Sequence, residues 1–374
     1  MSSAAVHAHH PAWRCPNCKG ALSGEEAAFT CDGCGDRFPR LGTVPVLVPD
    51  PGAYIARNAV ALARYVGGLQ MLLARGEQLE QEQPFRKSAM EQARRALTAD
   101  LELASEQLFG LAAYADTASL IRLAADPPPQ APGLPFGESW GPAMTGFLRA
   151  DWGGTPDGEK QIAAIRGELV RSVEKHARRR GTAALLGAGT GRFVHELSGH
   201  FEATFGVDLC LAYVDWYHRL LRGPLHLWEL NYPQLGGDTV ATPIEAKLTQ
   251  EAAARMDARS LAVADALHLP VADGSLSAAI SVHFTDCVPA RALLEELRRV
   301  LEPDGLFVSY GPLLYRGVED PADWLTPSEW KHLFAEARME LLEERWLDLP
   351  YWQGMERAIQ TTHRVWSFTL RKLP

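Results

Sequence analysis

The segment Leu185-Leu186-Gly187-Ala188-Gly189-Thr190-Gly191-Arg192 constrains this chain more than any other. It follows an apolar run at 183–186 and leads directly into an amphipathic stretch at 193–197. Glycines at 187, 189 and 191 let the backbone turn sharply and approach a ligand where a side chain would collide. Further apolar runs at 203–207, 278–282 and 305–310 alternate with helical stretches such as 288–301. Short apolar runs interleaved with helices predict buried parallel strands, hence a doubly wound, Rossmann-like α/β sheet. The glycine turn by itself fits a dinucleotide or a simple strand-to-helix connection.

The first fifty residues follow a different logic. Cys15-Pro16-Asn17-Cys18 and Cys31-Asp32-Gly33-Cys34 are two CxxC knuckles separated by twelve residues. Each offers two thiolates on one tight turn, and together they complete an S4 set suited to a structural Zn2+ with no open position. The other two cysteines, Cys210 and Cys287, stand alone. That distribution predicts a metal site in a reducing compartment and no disulfide framework. Residues 1–50 therefore read as a small zinc ribbon, separable from the rest. Residues 51–126 read as a helical segment of three or four helices, with breaks near Pro84 and at Asp116-Thr117. A Pro-rich linker covers 127–137, and the α/β domain fills 138–374.

The formal charge of -9 supplies no general attraction for phosphate backbones or anionic lipid. No run of about 20 apolar residues is present to cross a bilayer. The polar start, 1–11, lacks the basic and apolar regions of a signal peptide, so the expectation is a cytoplasmic chain with no membrane partner and with nucleic acid as the weaker partner.

Features downstream of the glycine turn narrow its ligand. Asp208 ends the next strand, where a carboxylate can accept from ribose hydroxyls. Ala264-Asp265-Ala266-Leu267 resembles the loop in which class I methyltransferases bind adenine. Residues 293–308, with the turn Glu302-Pro303-Asp304-Gly305, resemble the helix, turn and fifth strand of that fold. The resemblance implies S-adenosyl-L-methionine as cofactor, held by Gly187, Ala188, Gly189, Gly191, Arg192, Asp208, Asp265 and Ala266. The acidic residue common two positions before the first glycine is replaced by Leu185, so contact with the methionine amine has to come from elsewhere.

Residues 151–160, the glycine turn, Phe284-Thr285-Asp286-Cys287 and Gly311-Pro312-Leu313-Leu314-Tyr315 are similar to segments of the carnosine N-methyltransferase family. The ribbon resembles the Trm112-like group, whose role is usually docking or recognition. The resemblance implies methyl transfer to an imidazole nitrogen of histidine, a histidyl dipeptide or a histidine-containing peptide, or to a similar nitrogen. Lys160 stands where the family has an arginine that implies a cofactor contact, and Arg316 where it has a histidine. In this reading Asp286 orients the acceptor ring by taking its N–H, the alternative being a cap for the helix that follows. Tyr310 and Tyr315 contact substrate or pack in the core. His283 is a base or a structural residue, and Arg316 holds an acidic group or lies in solvent. Residues 351–354 read as a loop able to roof the acceptor pocket, and 365–370 as a last strand. Two other classes remain open: an RNA methyltransferase guided by its ribbon, and a scaffolding partner that keeps the fold.

Overall fold

The structure, a computed structural model, describes residues 12–24, 27–114, 144–232, 235–315, 318, 320–351 and 358–374. Among them an eleven-stranded sheet runs in the order β1-β2-β3-β4-β9-β6-β5-β10-β11-β13-β12. Its centre is β5 (Thr182–Leu186), β6 (Ala203–Asp208), β9 (Leu261–Ala264), β10 (Leu276–Val282) and β11 (Leu301–Gly311), all parallel. At one edge β13 (Thr361–Lys372) runs antiparallel to β11 and pairs with β12 (Met339–Tyr351). The expected α/β sheet is thus present, each strand within a few residues of its apolar run.

Strand periodicity decides where the core lies. Ala183 and Leu185 of β5 point into one buried cluster, Ala184 and Leu186 into another, so both faces of the central strand are covered. The helices that cover them include Ala290–Val300, one residue or two shorter at each end than the sequence suggests. Strand order reverses between β5 and β10, and a crevice at the carboxyl ends there is the fold's usual ligand site.

The ribbon is not set apart from this sheet. Its strands β1 (Leu22–Ser23), β2 (Ala28–Cys31) and β3 (Arg37–Leu41) form a meander that continues into β4 (Val44–Leu47). β4 pairs in parallel with β9, Val46 opposite Val263 and Leu47 opposite Ala264. Trp13 packs edge-on against Phe205 of β6 at 5.3 Å, and the Arg14 amide donates to the Pro270 carbonyl at 2.8 Å. Val46 and Leu47 are fully buried, so the sheet crosses the expected boundary at residue 50.

Two long helices, Pro51–Glu82 and Lys87–Ala112, represent the helical segment among the described residues, with Pro84 at the break as expected. Tyr54 donates its hydroxyl to the Leu209 carbonyl, and Gln107 donates to Asp215 at 2.7 Å, tying the pair to the α/β sheet domain. The second expected break, at Asp116-Thr117, and the linker at 127–137 lie outside the described residues. A separate hairpin, β7 (Leu225–Leu230) with β8 (Ala241–Ala246), was not anticipated. No described helix is long and apolar enough to cross a membrane.

Candidate active site

A cavity of about 410 Å³ opens where β5, β6, β9 and β10 end. Gly187, Ala188 and Gly189 form its floor, Asp208 and Asp265 one side, and His283 with Phe284 the other. The sequence candidates Gly187, Ala188, Gly189, Asp208, Asp265, Ala266 and His283 are therefore brought together.

Gly187 has φ +62°, and a Cβ there would stand 2.3 Å from the Phe284 ring, so only glycine fits the turn. Gly191, with φ +80°, precedes the helix Arg192–Leu197. Asp208 holds the turn in place: one carboxylate oxygen accepts from the Gly189 amide and the other from the Cys210 amide, both at 2.7 Å. Burial pushes this carboxyl up to about 6, against the pull of both donors. Asp265 accepts from the Leu267 amide and contacts His268 Nδ1, each at 2.8 Å, which shapes the loop after β9.

A helix far upstream closes the cavity. Asp151 and Trp152 end Met144–Trp152, and both grip Thr190 inside the glycine turn. The Thr190 hydroxyl donates to Asp151 Oδ2. Trp152 Nε1 donates to the Thr190 carbonyl and hydroxyl, each at 3.1 Å. Burial raises the Asp151 carboxyl to about 6. Asp151 lines the cavity, and the sequence reading singled it out only within the 151–160 string. Arg192 instead lies behind the wall, buried over the Trp152 ring. Its guanidinium is spent on Glu159, at 3.0 and 3.1 Å, on Glu196 at 2.8 Å, and on the Asp151 carbonyl. Lys160 is exposed and off the cavity. Gly158, Gln161, Ile162 and Ile165 of the helix Pro156–His176 line it at helical spacing, which turns Lys160 away.

The end nearest β10 holds most of the expected acceptor residues in other roles. Asp286 is buried, and its Oδ2 accepts from the Leu314 amide at 2.7 Å and the Tyr315 amide at 3.3 Å. It anchors the Gly-Pro-Leu-Leu-Tyr turn, stands outside the cavity lining, and does not cap Ala290–Val300. Tyr315 has φ +50°, and its hydroxyl donates to the Leu325 carbonyl while accepting from Trp330 Nε1 at 2.9 Å. That hydroxyl is committed to the scaffold. Tyr310 is a core residue of β11, 5.9 Å edge-on behind His283. Arg316 and residues 352–354 lie outside the described residues.

His283 does reach the cavity. Its backbone sits at φ +54°, a region non-glycine residues rarely occupy and one that clusters at functional sites. Its Nε2 is buried without a hydrogen-bond partner, and burial pushes the imidazole down to about 4, so the ring is neutral at pH 7. Tyr351, which stacks on His363 at 4.1 Å, lies 5.5 Å from it between ring centres.

In the ribbon, the sulfurs of Cys15, Cys18, Cys31 and Cys34 lie within 4.8 Å of one another. The pairs Cys15–Cys34 and Cys18–Cys31 are 3.7 and 3.4 Å apart. A tetrahedron with metal–sulfur bonds of about 2.3 Å has edges of about 3.8 Å, so the set fits one ion. Amides of Cys34 and Gly33 point at Cys31 Sγ and lower its thiol to about 6. This donor set suits thiolate coordination.

Residues 185–309 match the family profile described as a methyltransferase domain. The chain carries a methyltransferase domain. The matched stretch runs from the last residues of β5 through β11 and carries the glycine turn, Asp208, Asp265 and His283. A methyltransferase domain with this sheet draws on S-adenosylmethionine as methyl donor. Among solved structures, the enzyme is similar to geranyl diphosphate C-methyltransferase from Streptomyces coelicolor A3(2), at 18% identity over 59% of this chain and 86% of that one, TM-score 0.37. It is also similar to a putative sarcosine dimethylglycine methyltransferase from Galdieria sulphuraria, at 14% identity over 58% and 86%, TM-score 0.38. A third is the PH0226 protein from Pyrococcus horikoshii OT3, at 14% identity over 63% and 100%, TM-score 0.42. No curated protein matches the sequence.

Proposed function

We propose that this methyltransferase acts on an imidazole nitrogen, or a similar ring nitrogen, of a small molecule or peptide. The observation that carries this is His283, a neutral imidazole that lines the crevice and whose Nε2 is buried without a hydrogen-bond partner. The similarity of residues 151–316 to imidazole N-methyltransferases supports the same substrate class.

Bound S-adenosylmethionine would supply an electrophilic methyl on a sulfonium. Asp208 is suited to the ribose hydroxyls, Asp265 and Ala266 to the adenine edge, and the glycine turn to close backbone approach. A neutral imidazole, with a pKa of about 6.5, is already nucleophilic near pH 7. Transfer would form the new N–C bond as the S–CH3 bond breaks and would leave a methylated ring cation with one proton to lose. His283 Nε2 would accept the N–H of the second ring nitrogen, which fixes the tautomer, and the surplus ring proton would leave to solvent with the product. The contact expected of Asp286 thus falls to His283, and Asp286 becomes a positioning residue that holds the turn at 311–315. Zinc is the ion we assign to the four cysteines, in a structural role.

The test is labelled S-adenosylmethionine offered with histidine, histidyl dipeptides, histidine-containing peptides and RNA. Label in an imidazole product is expected. His283→Ala should lower kcat by about 10²- to 10⁴-fold with S-adenosylhomocysteine affinity retained. Label confined to RNA, or a fully active His283→Ala variant, contradicts the assignment.

A further inference from the structure

The sequence lacks a carboxylate before the glycine turn, and the structure offers one from another element. Leu185, at the vacated position, is buried in the apolar core. Four aspartates line the cavity: Asp151, Asp157, Asp208 and Asp265. Asp157 spends both oxygens on Arg149, at 3.1 and 3.3 Å. Asp208 spends one oxygen on each of two amides, and Asp265 one on an amide and one on His268. Asp151 gives Oδ2 to Thr190, and its Oδ1 takes no hydrogen bond from the described residues. A carboxylate out of bulk water with an unused oxygen is costly unless a cation or donor meets it.

Its position is firmly set. Thr190 holds the side chain, Trp152 is bonded to the same threonine, and Arg192 holds the Asp151 carbonyl. That guanidinium has Glu159 and Glu196 as its own carboxylate partners, so it leaves Oδ1 unused on a residue that lines the cavity.

We propose that Asp151 binds the α-ammonium of the methionine moiety of the methyl donor, from the helix before the sheet and not from β5. This rests on the reading of the crevice as the S-adenosylmethionine site. The acid that other glycine turns carry two residues upstream is here supplied across the cavity, and Thr190 aims it.

The test is calorimetric titration of the full chain and of Asp151→Asn with S-adenosylhomocysteine and with 5′-methylthioadenosine. The second ligand keeps the adenosine and thioether but has no amino-acid tail. Asparagine retains an oxygen for Thr190, so the turn should survive. We expect about 10- to 100-fold weaker S-adenosylhomocysteine binding, the effect of one charge-assisted hydrogen bond, with methylthioadenosine affinity within about twofold of the parent. Equal losses for both ligands, or none for either, overturn the role of Asp151. A parent chain that binds neither ligand overturns the donor-site reading, and the proposal with it.

Discussion

Thr190→Val removes one hydroxyl from the glycine turn and leaves the β-branched shape unchanged, so backbone preference and volume are nearly conserved. Thr190 is fully buried. Its hydroxyl donates to Asp151 Oδ2 and accepts from Trp152 Nε1 at 3.1 Å. The indole loses little, because the Thr190 carbonyl also accepts from it at 3.1 Å. The carboxylate loses its hydrogen bond to Thr190, and a bond to a charged group is worth about 1.5–3 kcal/mol. Unfolding stability should fall by about 2 kcal/mol, against a total of about 5–15 kcal/mol for a domain. Without that donor the Asp151 carboxyl, already near 6, moves further up, so S-adenosylhomocysteine affinity drops too, more at pH 6.5 than at pH 8. Urea titration followed by tryptophan fluorescence gives the first quantity from the midpoint shift at constant slope. Calorimetry at both pH values gives the second. A stability change below about 0.5 kcal/mol, typical of a surface substitution, together with unchanged affinity, would refute the claim that Thr190 and Asp151 act as a unit.

Asp151 and Asp208 both titrate near 6 in the folded, ligand-free chain, above the carboxylate range of the unfolded one. The folded state therefore binds more protons, and this part of the stability falls as pH rises from about 4 to about 6. A ligand that favours the ionised pair should give a larger thermal shift at pH 7 than at pH 5; a shift that shrinks with pH contradicts this. Asp286→Asn keeps an oxygen for the two amides and should retain turnover within about fivefold, whereas Asp286→Ala should cost about 1–3 kcal/mol. Loss of turnover in a stable Asn variant would return the acceptor contact to the carboxylate. Chelation of the ribbon metal should raise hydrogen exchange at 261–270 and weaken S-adenosylhomocysteine binding, since β4 pairs with β9 beside Asp265. Unchanged exchange there would restore a separable ribbon.

What the sequence reveals and what it hides divide along physical lines. Parallel strands buried on both faces read as apolar runs, so β5, β6, β10 and β11 are visible without coordinates, and Asp208 follows by position. The two knuckles carry their own spacing. Contacts that depend on tertiary return are not visible: nothing near Asp151 says that its helix meets a turn almost forty residues later. Lys160 was misplaced because family position outweighed helical phase, although the apolar spacing of Ile162 and Ile165 marks the buried face. Tyr315 looks available in sequence because a tyrosine hydroxyl carries no sign of its partner, here the Leu325 carbonyl. The strand at 44–47 reads as the end of a ribbon until β9 is found beside it.

The most direct measurement is a crystal structure of the full chain grown with S-adenosylhomocysteine. The nucleoside should lie along the glycine turn, with its ribose on Asp208, its base by Asp265, and its sulfur facing His283. An empty crevice at saturating ligand, or a dinucleotide in its place, would contradict the assignment on which every residue role here depends.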